Sequence, residues 1–142
     1  MSSTSFISSP NFLRHVLRAD ALSCLACGLL QVVLTGAMAR LLGLPETLLA
    51  YTGEFLLVYA AAVAFISTRK PVPRPLVWLL LAGNLAWALG CVLLLLSGRV
   101  APSLWGTAYV VVQALTVAVL AELQFFGLRR MGQEARVLQK AW

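Results

Sequence analysis

The sequence predicts an all-α integral membrane protein built as an up-down bundle of four helices, and three observations lead there. Of 142 residues, 61% are hydrophobic and only 11% charged, against roughly 25% charged in an ordinary soluble domain. The apolar residues fall in four blocks, each about as long as the ~20 residues that cross a bilayer as helix. Short polar connections join the blocks, so neighbouring helices must run antiparallel. A globule of this size could not bury so many apolar side chains. A soluble enzyme, a disordered tail and a disulfide scaffold are therefore poor fits, and a single membrane domain is expected.

The first span covers residues 19–39 and is free of charge beyond Asp20. The second, residues 47–68, contains one ionisable residue, Glu54. The third, residues 75–98, has none, and the fourth, residues 102–126, has only Glu122 near its end. All four blocks are continuously apolar, where the strands of a membrane barrel would alternate. Gly43 and Pro45 end the first span. Pro71, Pro73 and Pro75 punctuate the second connection, because proline cannot continue a helix. Ser97, Gly98 and Pro102 form the third turn.

Both tails read as short amphipathic helices along the headgroups. In residues 1–18, Ser9 and Pro10 resemble an N-cap followed by proline at the first helical position. Phe12, Leu13, Val16 and Leu17 then share one face. In residues 127–142, Leu128, Met131, Ala135, Leu138 and Trp142 recur at spacings of three and four, while Arg129, Arg130, Arg136 and Lys140 point away. Arg14, Arg18, Arg129, Arg130, Arg136, Lys140 and Trp142 are thus candidates for contact with headgroups or with a partner.

Orientation follows from the cations. Of the 11 Lys and Arg, all but Arg40 and Arg99 fall on one side of the predicted topology. The positive-inside bias then puts both termini in the cytoplasm. The net charge of +6 reflects this orientation and contact with anionic lipid. No basic soluble domain exists to carry nucleic-acid binding, so the expected partners are the bilayer, other membrane subunits or a second copy. Arg14 and Arg18 before an apolar run that ends in Ala37-Met38-Ala39 imitate a cleavable signal. The run is too long for a signal core and holds Gln31 and Thr35, so a retained span is expected.

Glu54 is the strongest candidate for chemistry, since an ionisable residue at membrane depth is by default a functional-site hypothesis. Gln31 and Gln113 lie at comparable depth and could join it in a polar cluster. Two readings stand open: a proton-carrying site, or helix-packing hydrogen bonds that tie Glu54 to Gln31, Arg40 or Arg99. Asn84 and Trp87, one turn apart, could line a cleft or serve packing. Asp20 and Glu122 are expected to pair with Arg18, Arg129 or Arg130 at the cytoplasmic ends. The Cys24-x-x-Cys27 spacing invites a redox reading, yet it sits inside a span on the reducing side, where disulfides do not persist. Small packing residues are the expected role. No metal set, cofactor loop or catalytic triad can be assembled, so a non-enzymatic protein is expected.

Arg18-Ala19-Asp20-Ala21, Leu42-Gly43-Leu44-Pro45 and Ala121-Glu122-Leu123-Gln124, together with Asn84 and Trp87, resemble a group of small uncharacterised bacterial inner-membrane proteins. More distantly the chain is similar to the DoxX-like four-helix proteins. The resemblance spans most of residues 12–130 and implies a bacterial inner-membrane bundle, without a shared activity to carry over. The expected function is an accessory or structural subunit of a membrane complex. The alternative is a small proton-coupled transporter or lipid-handling protein that uses Glu54.

The topology is directly testable. Reporter fusions after residues 44, 72, 100 and 142 should read outside, inside, outside and inside. An external signal from the fusion at 72 or 142 would overturn the charge argument.

Overall fold

A computed structural model describes residues 11–142. Five helices follow one another: α1 (Phe12–Val33), α2 (Thr35–Leu42), α3 (Glu46–Ser67), α4 (Arg74–Leu96) and α5 (Leu104–Lys140). No strand occurs among the described residues. Four of the helices, α1, α3, α4 and α5, are long and apolar enough to cross a membrane. Their outer faces carry exposed aliphatic side chains such as Leu22, Val58, Leu79 and Leu115. Such a surface suits hydrocarbon and greatly exceeds the apolar patches that soluble monomers expose. The chain is an all-helical, multi-pass membrane protein.

The expected terminal helices are not separate elements. α1 already begins at Phe12, and Phe12, Leu13, Val16 and Leu17 are buried in the bundle instead of resting on headgroups. The reason is phase. Leu13, Leu17, Asp20, Cys24, Gly28 and Gln31 are all buried and continue one stripe at spacings of three and four, with no proline to break it. α5 likewise runs on for 37 residues, about 55 Å at helical rise. Leu128 is fully buried at the bundle edge, and the residues beyond Gly132 are exposed. The Ser9–Pro10 cap lies outside the described residues.

Span one also divides. At Leu34 the backbone leaves helical geometry (φ −112°, ψ 26°) and α2 starts. Thr35 Oγ donates to the Gln31 carbonyl, the kind of side-chain bond that competes with the helix ladder and bends it. Gly43, at φ +67°, then ends α2 in the left-handed conformation that glycine adopts without strain.

α1 and α3 cross at two glycines. A Cβ on Gly53 would lie 2.8 Å from the Gln31 Cβ, and one on Gly28 would lie 3.0 Å from the Gly53 carbonyl. Only hydrogen at both positions lets the two backbones approach this closely. α4 packs along α5 as a second pair, and α5 also meets α1. Toward the basic end all four long helices share one core, in which Leu13 and Leu17 of α1 meet Val63 and Ile66 of α3, Val77 of α4 and Leu128 of α5.

The opposite end is tied differently. The Ser103 N–H donates to the Leu42 carbonyl over 2.8 Å, and Ser103 Oγ donates to the Leu41 carbonyl over 2.7 Å. Ser103 Oγ also accepts from the Gly106 N–H at 3.1 Å, capping α5. Between the two ends the packing is asymmetric. The buried residues of α4 are Val77, Leu80, Leu81 and Asn84, all in its first half. Those of α3 run along its whole length from Leu49 to Ser67. Beyond Asn84 the inward side chains of α4, namely Trp87, Cys91, Leu94 and Leu95, are only half-buried.

The glycine crossing can be tested against a control. Gly53→Ala forces α1 and α3 apart and should cost about 1–3 kcal/mol, seen as a lower Tm in detergent or nanodiscs. Gly90→Ala, where a Cβ meets nothing within 4 Å, should be neutral or slightly stabilising.

Candidate functional site

Between α3 and α4, where α4 is only half-buried, lies a cavity of about 540 Å³, within the 300–1,000 Å³ typical of small-molecule sites. From Gly83 to Leu94 its α4 wall is about 16 Å long. Phe55, Gly83, Ala86 and Gly90 line it and are also exposed at the bundle surface. The mouth therefore opens sideways between α3 and α4, toward the membrane.

Its floor is a buried polar layer. Asp20, on α1, is fully buried. Its Oδ2 accepts from Gln124 Nε2 of α5 at 2.8 Å and from Asn84 Nδ2 of α4 at 3.1 Å. Its Oδ1 accepts from Cys24 Sγ at 3.5 Å. Tyr59 of α3 completes the layer, its hydroxyl donating at 3.4 Å toward both the Leu80 carbonyl and Asn84 Oδ1. All four long helices thus contribute to one hydrogen-bonded set. Inside an apolar bundle such groups must find each other, because an unpaired one costs several kcal/mol.

Halfway up, Trp87 Nε1 donates to Gln113 Oε1 at 3.2 Å. The Trp87 ring stacks on Phe55 with centroids 5.8 Å apart and planes 8° apart. This stack joins α3 to α4 across the cavity. Near the far end, Gln31 Nε2 donates to the Tyr109 hydroxyl at 2.7 Å, and Thr52 Oγ donates to Gln31 Oε1 at 2.7 Å. The remaining wall is aliphatic, with Leu48, Leu56 and Leu94 among its members. Among the described residues, no Asp, Glu, Lys, Arg or His lines the cavity. Polar groups therefore stand at three levels, uncharged wherever they meet the cavity.

Of the residues singled out by sequence, Gln31, Gln113 and Asn84 all line this cavity, and so does Trp87. Glu54 does not join them. It is exposed on the outward face of α3, a rotation of about 100° from Gly53, which faces α1. It has no hydrogen bond or ion pair with Arg40, Arg99 or Gln31 among the described residues. The polar cluster is built without it. The expected pairing of Asp20 with a cytoplasmic arginine is also replaced, by the amide and thiol partners above. Glu122 is exposed.

The cationic residues collect at the basic end. Arg14 Nη2 donates to the Arg69 carbonyl at 2.9 Å, tying α1 to the end of α3. Arg69 itself stacks on the Phe65 ring at 4.1 Å, and Arg129 approaches the Phe125 ring at 5.7 Å. Arg18, Arg130, Arg136, Lys140 and Trp142 are exposed. Cys24, Cys27 and Cys91 are free thiols. No group of three or more His, Cys, Asp or Glu suited to a metal occurs among the described residues.

Sequence reasoning missed Asp20, Tyr59, Gln124, Thr52 and Tyr109 as members of the site. For Asp20 a signal was present, since it falls in register with Leu13, Leu17, Cys24 and Gly28. Comparison with protein-family models, curated proteins and solved structures found no match.

The floor makes a stability test. Asp20→Ala strands the Gln124 donor, while Asn84 Nδ2 keeps its 3.4 Å bond to Gln124 Oε1, and should cost about 1–3 kcal/mol. Asp20→Asn keeps an acceptor oxygen and should lose less. Glu122→Ala, at an exposed position, should stay within about 0.5 kcal/mol. Thermal unfolding of the three variants in one lipid system gives the order.

Proposed function

We propose that the protein is a non-enzymatic membrane protein that binds an uncharged amphiphile in the α3–α4 cavity. The observation that carries this reading is a sideways-opening cavity with aliphatic walls, hydrogen-bonding side chains at three levels and, among the described residues, no charged lining residue. A carboxylate or phosphate placed there would lose its water and find no cation, at a cost of many kcal/mol. A hydroxyl, ester or ketone can bond to Gln31, Gln113 or Tyr109 while its chain lies against Leu48 and Leu56. Entry from the bilayer needs no passage through water. Setting within a bacterial inner membrane, with both termini cytoplasmic, belongs to the same proposal. It rests on the distribution of cations and on the resemblance to small four-helix and DoxX-like proteins.

A second reading, an accessory subunit of a membrane complex, draws support from one observation. Glu54 faces outward from a membrane helix with no partner in its own chain among the described residues. An acid at the helix centre costs about 2.5–3.5 kcal/mol on insertion scales. The transporter alternative requires an oligomer in which Glu54 faces a cavity shared between chains, since it lies outside the α3–α4 cavity.

Binding can be read from Trp87 in a chain whose Trp78, Trp105 and Trp142 are replaced by Phe. A monoacylglycerol brominated on its chain should quench Trp87 saturably in nanodiscs. Gly90→Phe, which places a ring where a Cβ meets only open space, should abolish the saturable part. A brominated fatty acid at alkaline pH should not compete. Quenching that rises linearly with probe, unchanged by Gly90→Phe, would overturn the assignment.

A further inference from the structure

Glu54 lies eight residues into α3, about 12 Å along a helix of 22 residues that is about 33 Å long. The short glutamate side chain lacks the long stem by which Lys and Arg reach an interface. With α3 crossing the membrane, that depth falls within the hydrocarbon, on the outward side of the bundle. Tyr51, Val58 and Ala61 share its face and are exposed, leaving a track of one turn before it and two turns after it. Ala61 lets another backbone come close.

We propose that this face docks a membrane helix of another protein that carries Lys or Arg at the depth of Glu54. Charge complementarity selects that occupant over a second copy of the chain. Between Arg18 and Arg40, throughout α3, from Pro75 to Leu96 and from Leu104 to Leu128, the sequence has no Lys, Arg or His. A second copy could offer Glu54 only uncharged groups or another acid. A basic side chain from a different protein satisfies it at membrane depth, as buried charges require. Apolar contact along Val58 and Ala61 then aligns the two helices. The inference rests on the accessory-subunit reading and is independent of the cavity.

The test uses the full chain with a donor fluorophore at its C-terminus, in phosphatidylcholine vesicles. The acceptors are single-span Leu-Ala peptides with Lys at the Glu54 depth, with Lys two turns nearer the opposite leaflet, or with no charge. Depth-matched Lys should raise energy transfer, with association about ten-fold tighter than that of the uncharged peptide. Glu54→Leu should remove that advantage, and Glu54→Gln should reduce it. Equal association of all three peptides, unaffected by Glu54→Leu, overturns the role of Glu54 but leaves helix docking, and with it the subunit reading, standing. Association of no peptide overturns both. Self-association of the chain that disappears in Glu54→Leu names a second copy as occupant and overturns the inference. Amphiphile quenching of Trp87 in Glu54→Gln should equal that of the unsubstituted chain.

Discussion

At a single oxygen atom, Asp20 Oδ2 accepts hydrogen bonds from Gln124 on α5 and Asn84 on α4, while Tyr59 of α3 donates toward the same Asn84. A fully buried carboxyl in an apolar bundle is tolerated only where such partners converge. That need fixes the level at which the helices must stay together. Toward the basic end from this layer, four helices share a continuous aliphatic core. Away from it, α4 contributes no further fully buried residue. The polar layer is thus both the end of the core and the floor of the cavity.

The rest of the architecture follows from what holds α3. Its crossing with α1 depends on Gly28 and Gly53, so α3 travels with α1 along its length. α4 travels with α5. The two pairs are joined at the floor by hydrogen bonds and at the far end by Ser103 binding the last turn of α2. Between these ties the Phe55–Trp87 stack bridges α3 to α4, and Cys91, Leu94 and Leu95 of α4 pack against the cluster that holds Leu49 of α3. The gap is closed at both ends and open along its side, and its amides are paired with one another; the proposed binding of an uncharged amphiphile rests on that geometry.

Much of the fold was legible in the sequence, because hydrocarbon thickness sets span length and proline marks the turns. The number of spans, their approximate limits and the polar character of Gln31, Asn84 and Gln113 all came from that logic. Which way a residue faces was harder to read. α3 is apolar nearly all round, so hydropathy alone did not separate Glu54, on the outward face, from Thr52, on the cavity face. Arg18 beside Asp20 suggested a surface ion pair, although the register of Leu13, Leu17 and Cys24 already put Asp20 on the inner stripe. The break at Leu34 was hidden because Thr35 bends the helix through its side chain and the neighbouring Gly36 lies inside an apolar run, with no proline to mark a stop. Contacts between residues far apart in sequence, such as Gln31 with Tyr109, follow from the assembled bundle alone.

The most direct test of this account is the distance between α3 and α4 in a lipid bilayer. Spin labels at Val58 and Leu89, both on outward faces, report it by pulsed dipolar spectroscopy in nanodiscs. The expected result is one narrow distribution at the separation of the open cavity, which broadens when Asp20→Leu removes the tie at the floor. A shorter distance, with α3 and α4 in direct contact throughout, or a distribution indifferent to Asp20→Leu, would contradict the account.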